Sequence, residues 1–218
     1  MGSQIPIIDS HIHLFPASAL STLAWQKPDG PLYKQQSLDE FKAATSTGDA
    51  VLKGYIFIEA DRKSSAAPSS SEDDSGWAEP LAEVEFVRRL ATGQPLPGEG
   101  HSDSAADAAL CLAAVPWAPV PAGPEALERY LARAREAAGE AAWPRVRGFR
   151  YLLQDKPSGT ALQDGFIESL RLLGRRGFAF DVGVDQHRRG RLQLEEAVEM
   201  IDRAHDGVPE AEKVVFVL

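Results

Sequence analysis

The chain has little cysteine, fewer basic than acidic residues and no long apolar run. Cys111 is the only cysteine among 218 residues, which excludes an intrachain disulfide and a cysteine-based zinc site. Its neighbours in the run ALCLA are apolar, and they predict a buried thiol that packs as a small hydrophobic side chain. The formal net charge of −9 disfavours nucleic acid and anionic membranes as partners, because both bind basic surfaces.

Two further absences concern targeting and cofactor binding. No apolar stretch approaches the roughly 20 residues of a membrane span, and no basic region precedes an apolar stretch at the N-terminus as in a signal peptide. These features predict a cytoplasmic protein. The turn after the first apolar run reads DSHIH over residues 9–13, without the Gly-x-Gly-x-x-Gly loop that a dinucleotide-binding fold needs.

What the chain does have is an alternation of strand and helix patterns. Short runs rich in β-branched and aromatic residues predict six strands, at 5–9, 51–58, 109–117, 146–152, 178–184 and 213–218. Apolar residues at helical spacing predict helices within 81–90, 127–134, 163–176 and 192–204, and in the last of these Leu194, Ala197, Val198 and Ile201 share a face. The alternation predicts an α/β fold in which helices cover a parallel sheet.

The same rhythm bears on domain organisation. We expect one domain over residues 1–218, interrupted by flexible surface insertions at about 63–76 and 92–106, which are rich in serine, proline, glycine and acidic residues. His101 lies in the second insertion and is expected to be solvated. Six strands leave two architectures open, namely a doubly wound sheet and an incomplete (β/α)8 barrel.

His11 and His13 are the main candidate functional residues. Side chains one residue apart on a strand point to the same side, so the two imidazoles can close on one metal ion or one substrate. The alternative is a pair of partly exposed histidines in a loop. Their place at the end of the first strand favours the barrel, whose catalytic groups lie at the carboxyl ends of strands.

Several motifs together resemble the amidohydrolase superfamily, and within it the amidohydrolase-related branch that includes sugar-lactone hydrolases. The run IIDSHIHLF at residues 7–15 is similar to the first strand of that superfamily. Residues 55–60 (YIFIEA), 146–150 (VRGFR) and 180–182 (FDV) are similar to the second, fourth and fifth strands of the branch.

This resemblance implies a distorted (β/α)8 barrel that hydrolyses a cyclic ester or a related amide bond. It implies that His11 and His13 are catalytic and bind a divalent metal ion, commonly zinc. Such an ion polarises a carbonyl group and lowers the pKa of its bound water to about 7. Some members of the branch work without metal, and the same histidines would then bind the substrate, a small molecule.

Four further residues are candidates for binding the substrate. Glu59 lies at the end of the second strand, although it could equally form an ion pair there with Arg62 or Lys63. Arg150 could hold the carboxylate product of lactone hydrolysis with two hydrogen bonds. 

Asp181 and Gly183 share a face on the fifth strand, and a buried Asp181 needs a partner. That partner could be Arg150, which would give the pair a structural role. His187 follows the fifth strand and is either a ligand or part of a solvated loop.

The resemblance also implies parts that the sequence does not contain. A complete barrel of this type has a histidine after strand six and an aspartate after strand eight, whereas this chain supplies about six of eight strands. We therefore expect a chain truncated after strand six, with an open sheet edge that invites association with another chain, so that a homo-oligomer is possible. Three hypotheses follow: a metal-assisted lactone or amide hydrolase, whose activity in this truncated chain is left open; a decarboxylase or hydratase of the same branch; and an inactive fragment or interaction protein.

Overall fold

Parallel strands alternate with helices along the chain. The computed structural model describes residues 5–46, 50–66 and 75–218. Within these ranges the strands are β1 Ile5–Ile12, β2 Ala50–Ile58, β3 Cys111–Val115, β4 Gly148–Arg150, β5 Ala179–Asp181 and β6 Val215–Val217. All six predicted strands are confirmed, and each lies within or close to its predicted range.

Four of the helices lie at the predicted positions, and three shorter ones were not predicted. The α-helices are α1 Leu38–Thr45, α2 Ala78–Thr92, α3 Ala105–Leu110, α4 Pro124–Ala142, α5 Asp164–Arg175, α6 Gln186–Arg189 and α7 Arg191–His205. Short 3-10 helices occupy Ala17–Thr22, Ser75–Trp77, Val120–Ala122, Trp143–Arg145, Thr160–Leu162 and Glu210–Glu212. No helix within the described ranges has both the length and the apolar character needed to cross a membrane.

The chain divides into two compact units. The first comprises residues 1–63, 79–116 and 135–146, and the second comprises residues 64–78, 117–134 and 147–218. Each contains a three-stranded parallel sheet, in the order β1-β2-β3 in the first unit and β4-β5-β6 in the second. The predicted α/β class with parallel strands is confirmed, whereas closure into an incomplete barrel and the single-domain assignment stay predictions.

In the first unit the core lies between the sheet and helix α2. Its buried members are Leu14, Leu38, Tyr55, Phe57, Phe86, Val87, Leu90, Ala91, Cys111, Ala114 and Ala142. Cys111 is fully buried, as its apolar neighbours predict. Because burial penalises the charged thiolate, it raises the pKa of the Cys111 thiol to about 11.

In the second unit, helix α5 buries the face that its sequence predicts. Phe166, Ile167, Leu170 and Leu173 are all buried. The prediction for α7 is wrong in part, because Leu194 and Val198 are exposed while Ala197, Met200 and Ala204 are buried. Ala197 and Ala204, whose side chains are small, help to define the buried face of α7. A prediction from hydrophobicity alone therefore selects residues on a face that is rotated away from it.

The two predicted insertions have different outcomes. Of the first, residues 67–74 lie outside the described part of the chain. In the second, Glu99 is buried, and its carboxylate accepts hydrogen bonds from the Arg89 guanidinium at 2.7–3.0 Å.

The expectation that His101 is solvated is wrong. The residue is only 8% exposed, its ring lies 5.9 Å from that of Phe86, and its Nε2 is 3.6 Å from a carboxylate oxygen of Glu99. Burial lowers the pKa of His101, against the attraction of the Glu99 carboxylate. The polar composition of this segment gave no indication that His101 packs against helix α2.

Candidate active site

The histidine pair lies at the carboxyl end of β1. His11 belongs to the last residues of the strand and His13 follows it, and both are exposed. Their ring centroids are 5.0 Å apart and the planes are inclined at 79°. Asp9 holds the local backbone, since its carboxylate accepts a hydrogen bond of 3.0 Å from the amide of His11. The two rings are therefore neighbours and pack edge to face.

The neighbouring strand orients the ring of His13. Its Nδ1 lies 2.8 Å from the carbonyl oxygen of Glu59 and 3.2 Å from that of Ile58. A carbonyl oxygen can only accept a hydrogen bond, so Nδ1 must carry the hydrogen, and the lone pair of the neutral ring lies on Nε2. Metal-binding histidines are oriented by hydrogen bonds of this kind.

The spacing of the rings suits a shared metal ion. Two imidazoles bound to one tetrahedral zinc ion at Zn–N distances of about 2.0–2.1 Å have ring centroids about 5 Å apart. The observed 5.0 Å is close to that value, and it is also an ordinary distance for two rings packed edge to face. Among the described residues there is no group of three or more histidine, cysteine, aspartate or glutamate side chains that could hold a metal.

Glu59 begins a tightly bonded turn after β2. The residue is 1% exposed, its amide donates to the carbonyl of Val115 at 3.0 Å, and its carboxylate accepts from the amide of Asp61 at 2.5 Å. Asp61 has a φ of 54°, a left-handed conformation that aspartate tolerates better than most residues. The turn thus fixes the Glu59 carbonyl that binds His13.

A buried carboxylate behind this turn is the feature that sequence reasoning missed. Glu83 on α2 is 1% exposed, and its Oε1 accepts a hydrogen bond of 3.0 Å from the amide of Ala60. The Arg62 guanidinium, predicted as an alternative partner of Glu59, has its Nε 3.5 Å from the same oxygen. A sequence signal did exist, because Glu83 is four residues before Val87 and so lies on the buried face of the helix.

The environment of Glu83 changes its acidity. Burial raises the pKa of the Glu83 carboxyl to about 7, and the charge of Arg62 and the Ala60 hydrogen bond oppose that rise. The carboxyl is therefore ionised in mildly alkaline solution.

In the second unit, Arg150 and Asp181 form an ion pair across adjacent strands. The two residues are direct partners in the β4–β5 register, and Arg150 Nε lies 2.9 Å from Asp181 Oδ1. A methyl group on Gly183 would lie 2.8 Å from Arg150 Nη2, so glycine leaves the space that the guanidinium uses. This is the pairing that the sequence offered as the structural alternative.

His187 lies on the short helix α6 and is exposed. Its amide donates to the carboxylate of Asp185 at 2.9 Å, which caps the helix. Arg188 also contacts Asp185, at 3.1 Å. The described contacts place His187 in a charged, solvent-exposed turn, where it stays a candidate for binding substrate.

These features define an α/β protein with parallel strands and an oriented histidine pair at the end of its first strand. No protein-family model matches the chain. Over 201 residues it is 31% identical to L-rhamnono-gamma-lactonase from Scheffersomyces stipitis, a match that covers 92% of this chain and 58% of the lactonase. The chain thus spans less than two thirds of the length of that relative.

Solved structures share the fold. An amidohydrolase from Burkholderia multivorans with bound HEPES matches with a TM-score of 0.56 and 21% identity, over 90% of this chain and 53% of that one. Amidohydrolase 2 from Bifidobacterium longum subsp. infantis matches with a TM-score of 0.51 and 18% identity, over 95% of this chain and 66% of that one. The predicted resemblance is confirmed: the chain is similar in sequence to a lactonase and similar in fold to amidohydrolases.

Proposed function

We propose that this protein hydrolyses a lactone, the cyclic ester of a sugar acid. The observation that carries the proposal is the pair His11 and His13, in which the Glu59 carbonyl holds one ring with its Nε2 lone pair directed away from the strand contact. The similarity to a lactonase supports a lactone as the substrate. Attack of water on the carbonyl carbon forms one C–O bond and breaks the ring C–O bond, giving a hydroxy acid.

We further propose that His11 and His13 hold a divalent metal ion, with zinc as the first choice. When bound, such an ion supplies a polarised carbonyl and a water whose pKa is about 7. A second amidohydrolase structure from Burkholderia multivorans contains bound zinc, which supports this choice. Catalytic zinc sites usually have three protein ligands, whereas we propose two among the described residues, so we expect zinc to bind more weakly here than at a three-ligand site.

Four other residues are proposed to bind substrate. Glu59 is the buried carboxylate at the end of β2. In the second unit, Asp181 would orient the Arg150 guanidinium, and Arg150 would recognise the carboxylate that ring opening produces. The exposed imidazole of His187 would add a further polar contact.

The test is an assay of the purified 218-residue chain with zinc and a panel of sugar lactones, cyclic amides, aromatic acids and dicarboxylic acids. We expect proton release from lactones only, reduced at least about 100-fold in His11→Ala and in His13→Ala, since the loss of a metal ligand removes the ion's chemistry. Arg191→Ala, which alters the exposed surface of α7, should keep full activity.

Other outcomes decide among the alternatives. Unchanged lactone turnover in both histidine variants would overturn the role of the pair. Turnover of the acids in place of the lactones would favour a decarboxylase or hydratase. Absence of both zinc binding and turnover would overturn the proposal for this chain and favour the inactive fragment or interaction protein.

A further inference from the structure

One peptide group connects the candidate active site to the buried carboxylate of helix α2. The carbonyl of the Glu59–Ala60 peptide accepts the hydrogen bond of 2.8 Å from Nδ1 of His13. The amide of the same peptide donates the hydrogen bond of 3.0 Å to Oε1 of Glu83. The imidazole, the peptide and the carboxylate therefore form a continuous chain of two hydrogen bonds within the first unit.

We propose that Glu83 is a positioning residue for His13 and acts on it through the Glu59–Ala60 peptide. The proposal that His13 serves as a metal ligand is the proposed function on which this inference rests. The link itself involves neither metal nor substrate.

The electronic effect follows from the nature of the peptide bond. Its partial double-bond character couples the nitrogen and the oxygen, so a carboxylate that accepts the N–H hydrogen bond increases the negative charge on the carbonyl oxygen. Consecutive hydrogen bonds strengthen one another by about 10–30% each in a medium of low dielectric constant. A stronger bond from Nδ1–H to that oxygen makes the imidazole a more basic ligand at Nε2.

The surrounding contacts hold this peptide in one orientation. Nε1 of Trp25 donates to the carbonyl of Ala60 at 2.9 Å, and the amide of Ala24 donates to the carbonyl of Asp61 at 2.8 Å. With the Glu59 carboxylate on the Asp61 amide, both peptide groups after Glu59 are bonded on each side. His13 therefore meets an acceptor that is already in place.

The two carboxylates near the Arg62 guanidinium differ in their burial and in their hydrogen bonds. Arg62 lies between two carboxylates of α2, with its Nε 3.5 Å from Glu83 and its Nη1 4.0 Å from Glu79. The side chain of Glu79 is 41% exposed, whereas that of Glu83 is 1% exposed. The bond to Ala60 belongs to Glu83, so Glu79 offers a matched control that alters the same arginine.

A merely structural role would be to satisfy the buried amide of Ala60, and Glu83→Gln separates the two roles. A glutamine oxygen can still accept the Ala60 hydrogen bond, but it carries no charge. We expect this variant to keep the fold and to weaken the hydrogen bond from His13 Nδ1–H.

The primary measurement is the NMR spectrum of the His13 ring in the metal-free full chain at pH 8.5, where Glu83 is ionised. In the wild-type chain we expect the Nδ1–H tautomer. In Glu83→Gln we expect the Nδ1–H proton resonance to move to lower frequency, and the dissociation constant for zinc to rise about 3–10-fold, less than the 10–100-fold typical of direct contacts to a metal ligand. Glu79→Gln should change neither value.

The controls keep the inference open to refutation. If Glu83→Gln fails to fold, Arg62→Met/Glu83→Gln, which removes both buried charges together, should give the same shift. A folded variant of either kind with an unchanged His13 resonance and unchanged zinc affinity would overturn the link. If the resonance moves but no form of the chain binds zinc, the link stands and the metal-ligand role of His13 is wrong.

Discussion

At the scale of single residues, Arg150 and Asp181 form a buried ion pair with a structural role, and we propose that the same residues bind substrate. Their side chains are 11% and 9% exposed and bond at 2.9 Å. Removing one partner from a buried ion pair leaves the other charge without compensation, which is far more costly than replacing both.

We therefore expect Asp181→Ala to lower the free energy of unfolding by about 3 kcal/mol. The double variant Arg150→Met/Asp181→Leu should recover most of that loss, because its side chains are apolar and of similar volume. Urea denaturation of the single and double variants measures both effects. Equal loss in the two would show that an uncompensated Arg150 charge is not what destabilises Asp181→Ala.

For single residues, the sequence predicted side-chain positions correctly where these depend only on the periodicity of a strand. Alternation along the predicted fifth strand, residues 178–184, places Asp181 and Gly183 on one face, and the structure shows both beside Arg150. Glu83 and His101 were missed because their partners, the Ala60 amide and the Phe86 ring, are distant in the sequence. No local pattern specifies which distant backbone group a buried carboxylate will bind.

At the scale of elements, helix α5 illustrates how two glycines in one helix differ in their surroundings. A methyl group on Gly174 would lie 2.2 Å from the carbonyl oxygen of Glu212 and 2.6 Å from the amide nitrogen of Val214. A methyl group on Gly165 would have no neighbour nearer than 3.5 Å. The first glycine permits the approach of the segment before β6, and the second has no such role.

Gly174→Ala should accordingly destabilise the protein by about 2 kcal/mol or more, since the clash is with backbone that cannot rotate away. Gly165→Ala should be neutral or stabilise it by up to about 1 kcal/mol, through higher helix propensity. Thermal unfolding followed by circular dichroism compares the two variants. Destabilisation by Gly165→Ala of the same size would contradict this account.

The sequence was most informative about the secondary-structure elements. Six strands and the stripe on α5 followed from period-two and 3.6-residue patterns. The face of α7 did not, because Ala197 and Ala204 are small side chains that pack closely, while the larger Leu194 and Val198 are exposed. Hydrophobicity measures the gain from burial, but close packing also depends on size.

At the scale of the whole molecule, the buried Glu83 makes stability depend on pH. Burial raises the pKa of this carboxyl from 4.5 to about 7, so the folded state binds the proton more tightly than the unfolded state. Its contribution to stability is fully present below about pH 4.5 and is lost as the pH rises through about 7.

Relative to Glu83→Gln, the wild-type chain should therefore lose stability between pH 4.5 and pH 8, by an amount on the order of a few kcal/mol, since each pKa unit corresponds to about 1.4 kcal/mol. Urea denaturation of both proteins at pH 4.5, 6 and 8 gives the difference directly. A difference that is constant with pH would show that the carboxyl keeps its ordinary pKa in the folded protein. The opposite slope would show that Arg62 outweighs burial.

The sequence predicted the α/β class and parallel strands because alternating patterns constrain every α/β protein. Closure of the strands into a barrel stays a prediction, since it depends on register between strands that are distant in the sequence. The metal stays a proposal for a similar reason. Two histidines are visible as neighbours in the sequence, whereas any further ligand would be brought in by the fold.

The buried thiol of Cys111 also makes the chain a convenient subject for spectroscopic labelling. It is fully buried, and its pKa of about 11 leaves little thiolate at neutral pH. A cysteine introduced at an exposed position would therefore be the reactive one toward maleimide dyes, without prior removal of the native residue. A fluorophore could in this way be attached at one chosen exposed position while Cys111 stays unmodified.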